Sequence, residues 1–115
     1  MKKIKIAFDI DGTLRDNKEE YGVWNPVWAT PNENIRSLLI TLSKFKNVQC
    51  YIWSWGGKRY ADDIRKKFLL EKYVKESSCL GKWDMIDGEL FRPDIAIDDI
   101  QDCRMGHINL IVKEK

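Results

Sequence analysis

No run in this chain approaches the roughly 20 consecutive apolar residues that a membrane-spanning helix requires, so no spanning segment is expected. The opening Met1–Phe8 begins like a secretory leader, but Lys5 and Asp9 interrupt it before a sufficient apolar stretch develops, which leaves a cytoplasmic protein as the expectation. Cysteine is scarce. Cys50, Cys79 and Cys103 are odd in number and widely spaced in apolar or strand-like surroundings, a pattern against a disulfide framework or a paired-cysteine zinc site and in favour of reduced, buried thiols. Histidine occurs once, at His107, with no cysteine or acidic partner at metal spacing, and it is assigned a structural role. The formal net charge of +2 supplies no strong basic stripe, so charge alone does not call for a nucleic-acid backbone as partner. Repeats and low-complexity tracts are absent. At 115 residues the chain suits one domain, 1–115, and is too short for two of ordinary size.

What is present is the composition of a globular protein, 43% hydrophobic and 33% charged. Residues 2–8 set Ile4, Ile6 and Phe8 on one face, which predicts a strand ending at Asp9. Residues 14–29 carry charges, Gly22, Pro26 and two tryptophans without a clean period, and predict an irregular flap or short hairpin. Thr30, Pro31 and Glu33 then resemble a cap, a first helical position and a capping box, and Ile35, Leu38, Leu39, Leu42 and Phe45 continue as a helical stripe ending near Lys46. Val48 to Trp53 predicts a buried strand with Ser54 at its end; Gly56-Gly57 turns the chain into a second helix over about 58–72, with Tyr60, Ala61, Ile64 and Phe68 on its apolar side. Further strands are predicted around Ser77–Leu80, at Asp94–Asp98 and over 108–112, while 81–92 is too short and Gly-broken for a helix and stays unassigned. Strands alternating with helices imply an α/β fold: a single Rossmann-like, three-layer domain with a mainly parallel sheet of about five strands, whose ligands gather beyond the strands' carboxyl ends.

The chemistry concentrates in Asp9-Ile10-Asp11-Gly12-Thr13-Leu14, directly after the first strand. Two carboxylates two residues apart point the same way along an extended strand, and the turn at Gly12 lets their roles diverge. Such a pair repels itself unless a cation lies between, and Mg²⁺, which takes oxygen ligands and keeps waters and substrate phosphate in its shell, is the natural candidate. This segment resembles the first motif of the haloacid dehalogenase-like superfamily in its phosphatase form. The resemblance implies that Asp9 is a nucleophile forming an aspartyl-phosphate and that Asp11 is the general acid and base. It also implies that Ser54, closing the strand Tyr51-Ile52-Trp53, binds phosphate, with Gly12 and Thr13 alongside. Lys82 is the phosphate-site lysine by its interval before the last motif, with Lys58 as competitor. Ile95-Ala96-Ile97-Asp98-Asp99 matches the family's acidic pair, and the resemblance implies a Mg²⁺ site shared with Asp9 and Asp11, in which Asp98 ligates directly and Asp99 ligates through water or orients Lys82.

The match spans Asp9 to Asp99 and leaves no room for a cap domain: 14–47 hold only a flap and one helix, and 55–81 only a helix and a short strand. Capless relatives act on phosphoproteins, on nucleic-acid ends, or on small molecules when homo-oligomerisation supplies a lid. The expectation is therefore a Mg²⁺-dependent phosphomonoester hydrolase of open substrate class with no membrane partner. A non-enzymatic phosphoacceptor or Mg²⁺-binding module of similar fold is the alternative. Trp24 and Trp28, in the flap, are equally open to packing on the domain or to stacking on a base or aromatic leaving group.

Overall fold

A computed structural model of the chain describes residues 2–16, 24–100 and 105–112. Cys103 and the centre of the predicted flap, 17–23, lie outside the described residues. The elements run β1 (Ile4–Asp9), α1 (Glu33–Ser43), β2 (Val48–Ser54), α2 (Lys58–Lys67), β3 (Cys79–Gly81), β4 (Met85–Ile86), β5 (Glu89–Leu90), β6 (Ile95–Asp98) and β7 (Ile108–Ile111). Five strands form an all-parallel sheet in the order β3-β2-β1-β6-β7, as an α/β Rossmann-like fold requires.

The period-2 alternation of the strands separates two apolar layers. Ile6 and Phe8 of β1, Cys50 and Ile52 of β2 and Ile97 of β6 face one side, where Leu39 of α1 and Tyr60, Ala61 and Ile64 of α2 cover them. Ala7, Tyr51, Trp53 and Ala96 face the other, against Leu80 and Phe91. The helices share one face because β1, β2 and β3 are laid down in one direction, and right-handed crossovers then fall on the same side. The return to β6 crosses the opposite face, and among the described residues the third layer there is built from the β4–β5 segment and Phe91, without a helix. Among the described residues no helix is long and apolar enough to cross a membrane. Cys50 and Cys79 are buried free thiols, pushed up by burial to about 11 and about 12, and so remain protonated.

Three boundaries differ from the sequence reading. The N-cap of α1 is Asn32, whose side-chain oxygen accepts from the backbone N–H groups of Asn34 and Ile35. Thr30 and Pro31 are held outside the helix, Pro31 by a bridge to Arg15 and Thr30 by a hydroxyl bond to Asp16, while the N–H of Asn32 donates to the Leu14 carbonyl. The helix also stops at Ser43, leaving Phe45 exposed. Helix α2 stops at Lys67, not near 72, because Leu69 turns left-handed with φ 57°. The N–H of Leu70 then reaches the Arg65 carbonyl and that of Leu69 the Lys66 carbonyl, at 2.9 and 3.1 Å, which is the Schellman arrangement. The unassigned 81–92 holds an antiparallel hairpin, Met85↔Leu90 and Ile86↔Glu89, closed by Asp87 and Gly88 at φ 52° and 82°. An Asp-Gly pair between short apolar segments is the sequence signal for that turn.

Leu69 occupies a conformation that disfavours a branched L residue, and its side chain is 72% exposed, so burial returns little in exchange. Leu69→Gly is expected to raise unfolding stability by roughly 1 kcal/mol, read as a higher urea midpoint at unchanged slope. A lower midpoint would mean that the exposed leucine contributes packing that outweighs the strain.

Candidate functional site

The parallel register brings the chemically rich residues to one edge. Phe8 is level with Ile97, so Asp9 and Asp98 are the next residues along adjacent strands; Asp9 is level with Trp53, and Ser54 with Gly81. Asp9, Ser54, Lys82 and Asp98 thus emerge from four strand ends on the carboxyl side, where β1 separates chain laid down to its left and right. Beyond β1 the loop is stapled shut: Gly12 donates to the Arg15 carbonyl at 3.1 Å, Arg15 to the Ile10 carbonyl at 2.8 Å and Leu14 to the Asp9 carbonyl at 3.2 Å. Gly12 has φ 85°, and a methyl group at this position would collide with the Asp99 carboxylate, so only glycine permits both the turn and the close approach.

Lys82 is placed by a second tight turn. Its backbone N–H donates to the Ser54 carbonyl at 3.0 Å, and the Asp84 carboxylate accepts from Gly81 N–H at 2.9 Å. The ammonium group then lies 2.8 Å from Asp9 Oδ1 and 2.9 Å from Asp98 Oδ2. Lys82, Asp9 and Asp98 are all buried. Asp99 adds a further carboxylate: one oxygen from each of Asp9, Asp98 and Asp99 can be chosen so that all three lie within 4.8 Å of one another. Lys58, the competing lysine, sits exposed at the start of α2.

One ammonium cannot neutralise three carboxylates, and the proton affinities record the imbalance. Burial pushes the Lys82 pKa down, but Asp9 and Asp98 outweigh it and hold it above the ordinary value. Asp98 is pushed up by burial, yet the hydrogen bond and charge of Lys82 prevail and keep it low. Asp9 carries the remaining cost: burial raises it, Lys82 offsets part of the rise, Asp98 and Asp99 add to it, and its pKa reaches about 8. Three carboxylate oxygens around one point are a hard-donor set that suits a divalent cation such as Mg²⁺.

Asp11 does not join the carboxylate cluster. Its Oδ1 accepts from the Tyr60 hydroxyl at 2.7 Å and lies 3.8 Å from the Arg15 guanidinium, which itself donates to Tyr60 at 3.0 Å and to the Asn25 carbonyl at 2.9 Å. Arg15 and Tyr60 are therefore residues that the sequence reading missed. Tyr60 was counted only as a member of an apolar helical stripe, and the available signal was a phenol at the end of that stripe nearest the strand termini. Arg15, a cation buried to 1% exposure four residues after Asp11, carried no recognisable motif.

A cavity of about 280 Å³ opens above these groups, lined by Asp9, Asp11, Ser54, Lys82, Asp99, Ile100 and the rings of Trp24 and Trp55. Ser54 Oγ accepts from the Gly56 N–H at 2.9 Å, so its hydroxyl hydrogen is available to an acceptor in the cavity. Thr13 is fully buried and does not line it, and Gly12 contributes by letting Asp99 in. Trp28 and His107 are exposed away from the lining. The chain matches no protein-family model, and no curated protein or solved structure matches it significantly.

Asp9 binds its proton more tightly in the folded chain, at about 8, than at the ordinary 3.8, so its contribution to stability is fully present below about pH 4 and lost as pH rises toward 8. Metal-free protein should accordingly lose thermal stability across that window, at roughly 4–8 °C per kcal/mol. Asp9→Asn should flatten the decline. Millimolar Mg²⁺ should raise the melting temperature of the wild type more at pH 8 than at pH 5 and leave Asp9→Asn nearly unmoved. Equal Mg²⁺ shifts in both proteins would count against a metal site at the cluster.

Proposed function

We propose that the protein is a Mg²⁺-dependent phosphomonoester hydrolase of the haloacid dehalogenase-like type. The observation that carries this reading is the Lys82 ammonium 2.8 Å from Asp9 and 2.9 Å from Asp98, with Asp99 beside them, at the floor of a cavity that also holds Asp11 and Ser54. Lys82 holds the Asp9 carboxylate in place and offers positive charge to a phosphoryl group, whose negative oxygens a carboxylate would otherwise repel. Asp9, Asp98 and Asp99 are the residues that would hold Mg²⁺, which supplies further positive charge to those oxygens.

In the first half-reaction an oxygen of ionised Asp9, its proton released to solvent beforehand, forms a bond to phosphorus, and the bond to the ester oxygen breaks as Asp11 delivers a proton to the departing alcohol. Asp11, now ionised, takes a proton from water, which attacks the same phosphorus, releases the Asp9 carboxylate and leaves inorganic phosphate. The Ser54 hydroxyl donates to a phosphoryl oxygen throughout. Tyr60 and Arg15 keep the Asp11 carboxyl turned toward the cavity instead of the metal-binding group, which matches the two different tasks of the carboxylates.

Release of phosphate from an aryl phosphate should require Mg²⁺ and stop with EDTA. Asp9→Asn should abolish turnover and Asp11→Asn should reduce kcat by roughly 10²–10⁴, the range for a lost general acid and base. Turnover that survives Asp9→Asn unchanged would end the reading, and a long-lived phosphoprotein after treatment with acetyl phosphate would favour a phosphoacceptor.

Tyr60→Phe keeps the ring in the core while deleting the bond to Asp11. A positioning role predicts a kcat about tenfold lower at similar KM with the circular dichroism spectrum preserved; a rise in KM at constant kcat would place Tyr60 in substrate binding instead.

A further inference from the structure

Five tryptophans divide sharply by exposure. Trp53 is 1% exposed and belongs to the core, whereas Trp24 and Trp55 are each 39% exposed and Trp83 is 70% exposed. Those three are gathered at one opening. Trp24 and Trp55 line the mouth of the cavity above Asp9 and Lys82, and the Trp24 ring rests directly on Gly56, the residue after Trp55, where any side chain would collide with it. Trp83 follows Lys82 and meets Trp55 as a tilted pair, with ring centroids 4.6 Å apart at 56°. The Lys82 ammonium is 5.4 Å from the centre of the Trp55 ring, so the cation that would meet a phosphate and the first aromatic wall are directly adjacent.

Large apolar rings exposed together around a polar cavity mark a surface made to be covered. The chemistry of what covers them is constrained from both ends. The floor takes a phosphate. The aromatic surface begins at the lining and continues to Trp83, which lies outside it, so the group that stacks there is separated from the phosphate by a spacer rather than attached to it directly. A phosphate joined through a sugar to a flat heteroaromatic ring has that shape, and indole faces stack on such rings irrespective of base identity.

We propose that Trp24, Trp55 and Trp83 form a stacking platform for the base of a nucleoside phosphomonoester whose phosphate lies beside Asp9 and Lys82; the phosphate's position rests on the hydrolase reading, the platform on the geometry of the rim. The same chemistry is offered by a free nucleotide and by the phosphorylated end of a strand. The sequence leaves Trp24 and Trp28 equally open to packing or to stacking; Trp24 lines the cavity, Trp28 lies outside the lining, and Trp55 and Trp83 extend the aromatic surface.

Two measurements test the platform, using the whole chain with Mg²⁺. In the first, kcat/KM for a nucleoside 5′-monophosphate is compared with that for ribose 5-phosphate, the same ester without its base. Stacking predicts a preference of roughly tenfold to a hundredfold for the nucleotide, falling toward unity in Trp55→Ala and Trp83→Ala. Equal rates on the two esters, a preference untouched by both substitutions, or a stronger preference for phosphotyrosine would overturn the proposal. The second uses Asp9→Asn protein and follows tryptophan fluorescence, which the nucleotide should quench and ribose 5-phosphate should not. Quenching of Asp9→Asn by nucleotide together with no hydrolysis of any ester by the wild-type chain would remove the hydrolase reading and keep the platform; hydrolysis of many esters by the wild type without base-dependent quenching would do the reverse. Tighter quenching by a 5′-phosphorylated oligonucleotide than by the mononucleotide would identify the strand end as the source, and the opposite order the free nucleotide.

Discussion

The structure turns on one buried ammonium group shared by two buried carboxylates. Lys82 reaches Asp9 and Asp98 across the end of the sheet, and each of the three would be costly to bury alone. Removing a partner leaves an uncompensated charge, so the strands that carry them are held in one register by electrostatics as well as by hydrogen bonds. The compensation is incomplete, because Asp99 makes a third carboxylate, and Asp9 absorbs the excess as a raised proton affinity. The cluster thus holds more negative than positive charge, a donor set suited to a divalent cation.

The two layers of the domain serve that edge differently. On the helical face, Tyr60 projects from the first turn of α2 to Asp11, and Arg15 links both to Asn25 in the flap. On the opposite face, the short hairpin and Phe91 cover Ala7, Tyr51 and Trp53, and the turn that leads into this segment presents Lys82 and Trp83. One layer thus positions a carboxyl group and the other positions the cation and an aromatic wall. Among the described residues no separate cap covers the cavity, and its lining includes the half-exposed indole rings of Trp24 and Trp55.

Where sequence and structure diverge, local preference yields to a contact made elsewhere. Thr30 has the chemistry of a helix cap, but its neighbour Pro31 is tied to Arg15, so Asn32 caps the helix instead and the helix begins at Glu33. The second helix is predicted to run to about 72, yet the chain turns at Leu69 and buries Leu70 and Val74, and a residue in the left-handed region ends the helix early. The hairpin at 85–90 was legible in Asp87-Gly88 and was passed over because its strands are only two residues long. Tyr60 carries only the weak signal of a phenol at the end of an apolar stripe, and Arg15 carries none, since a tyrosine in such a stripe and an arginine in a loop have many commoner uses.

The sequence by itself determined the alternation of strands and helices, the α/β class, and the positions of Asp9, Asp11, Ser54 and the Asp98-Asp99 pair, because apolar periodicity and the residues that interrupt it are local properties of the chain. It favoured Lys82 over Lys58 through the family resemblance, by interval along the chain and not by any contact. That Lys82 and not Lys58 bridges the carboxylates, that Asp11 turns away from them to Tyr60 and Arg15, and that Trp55 and Trp83 stand beside Trp24 were decided by tertiary structure alone. These are distances between residues far apart in sequence, set by parallel register and by which loops reach the same edge, and no periodicity within a segment carries that information.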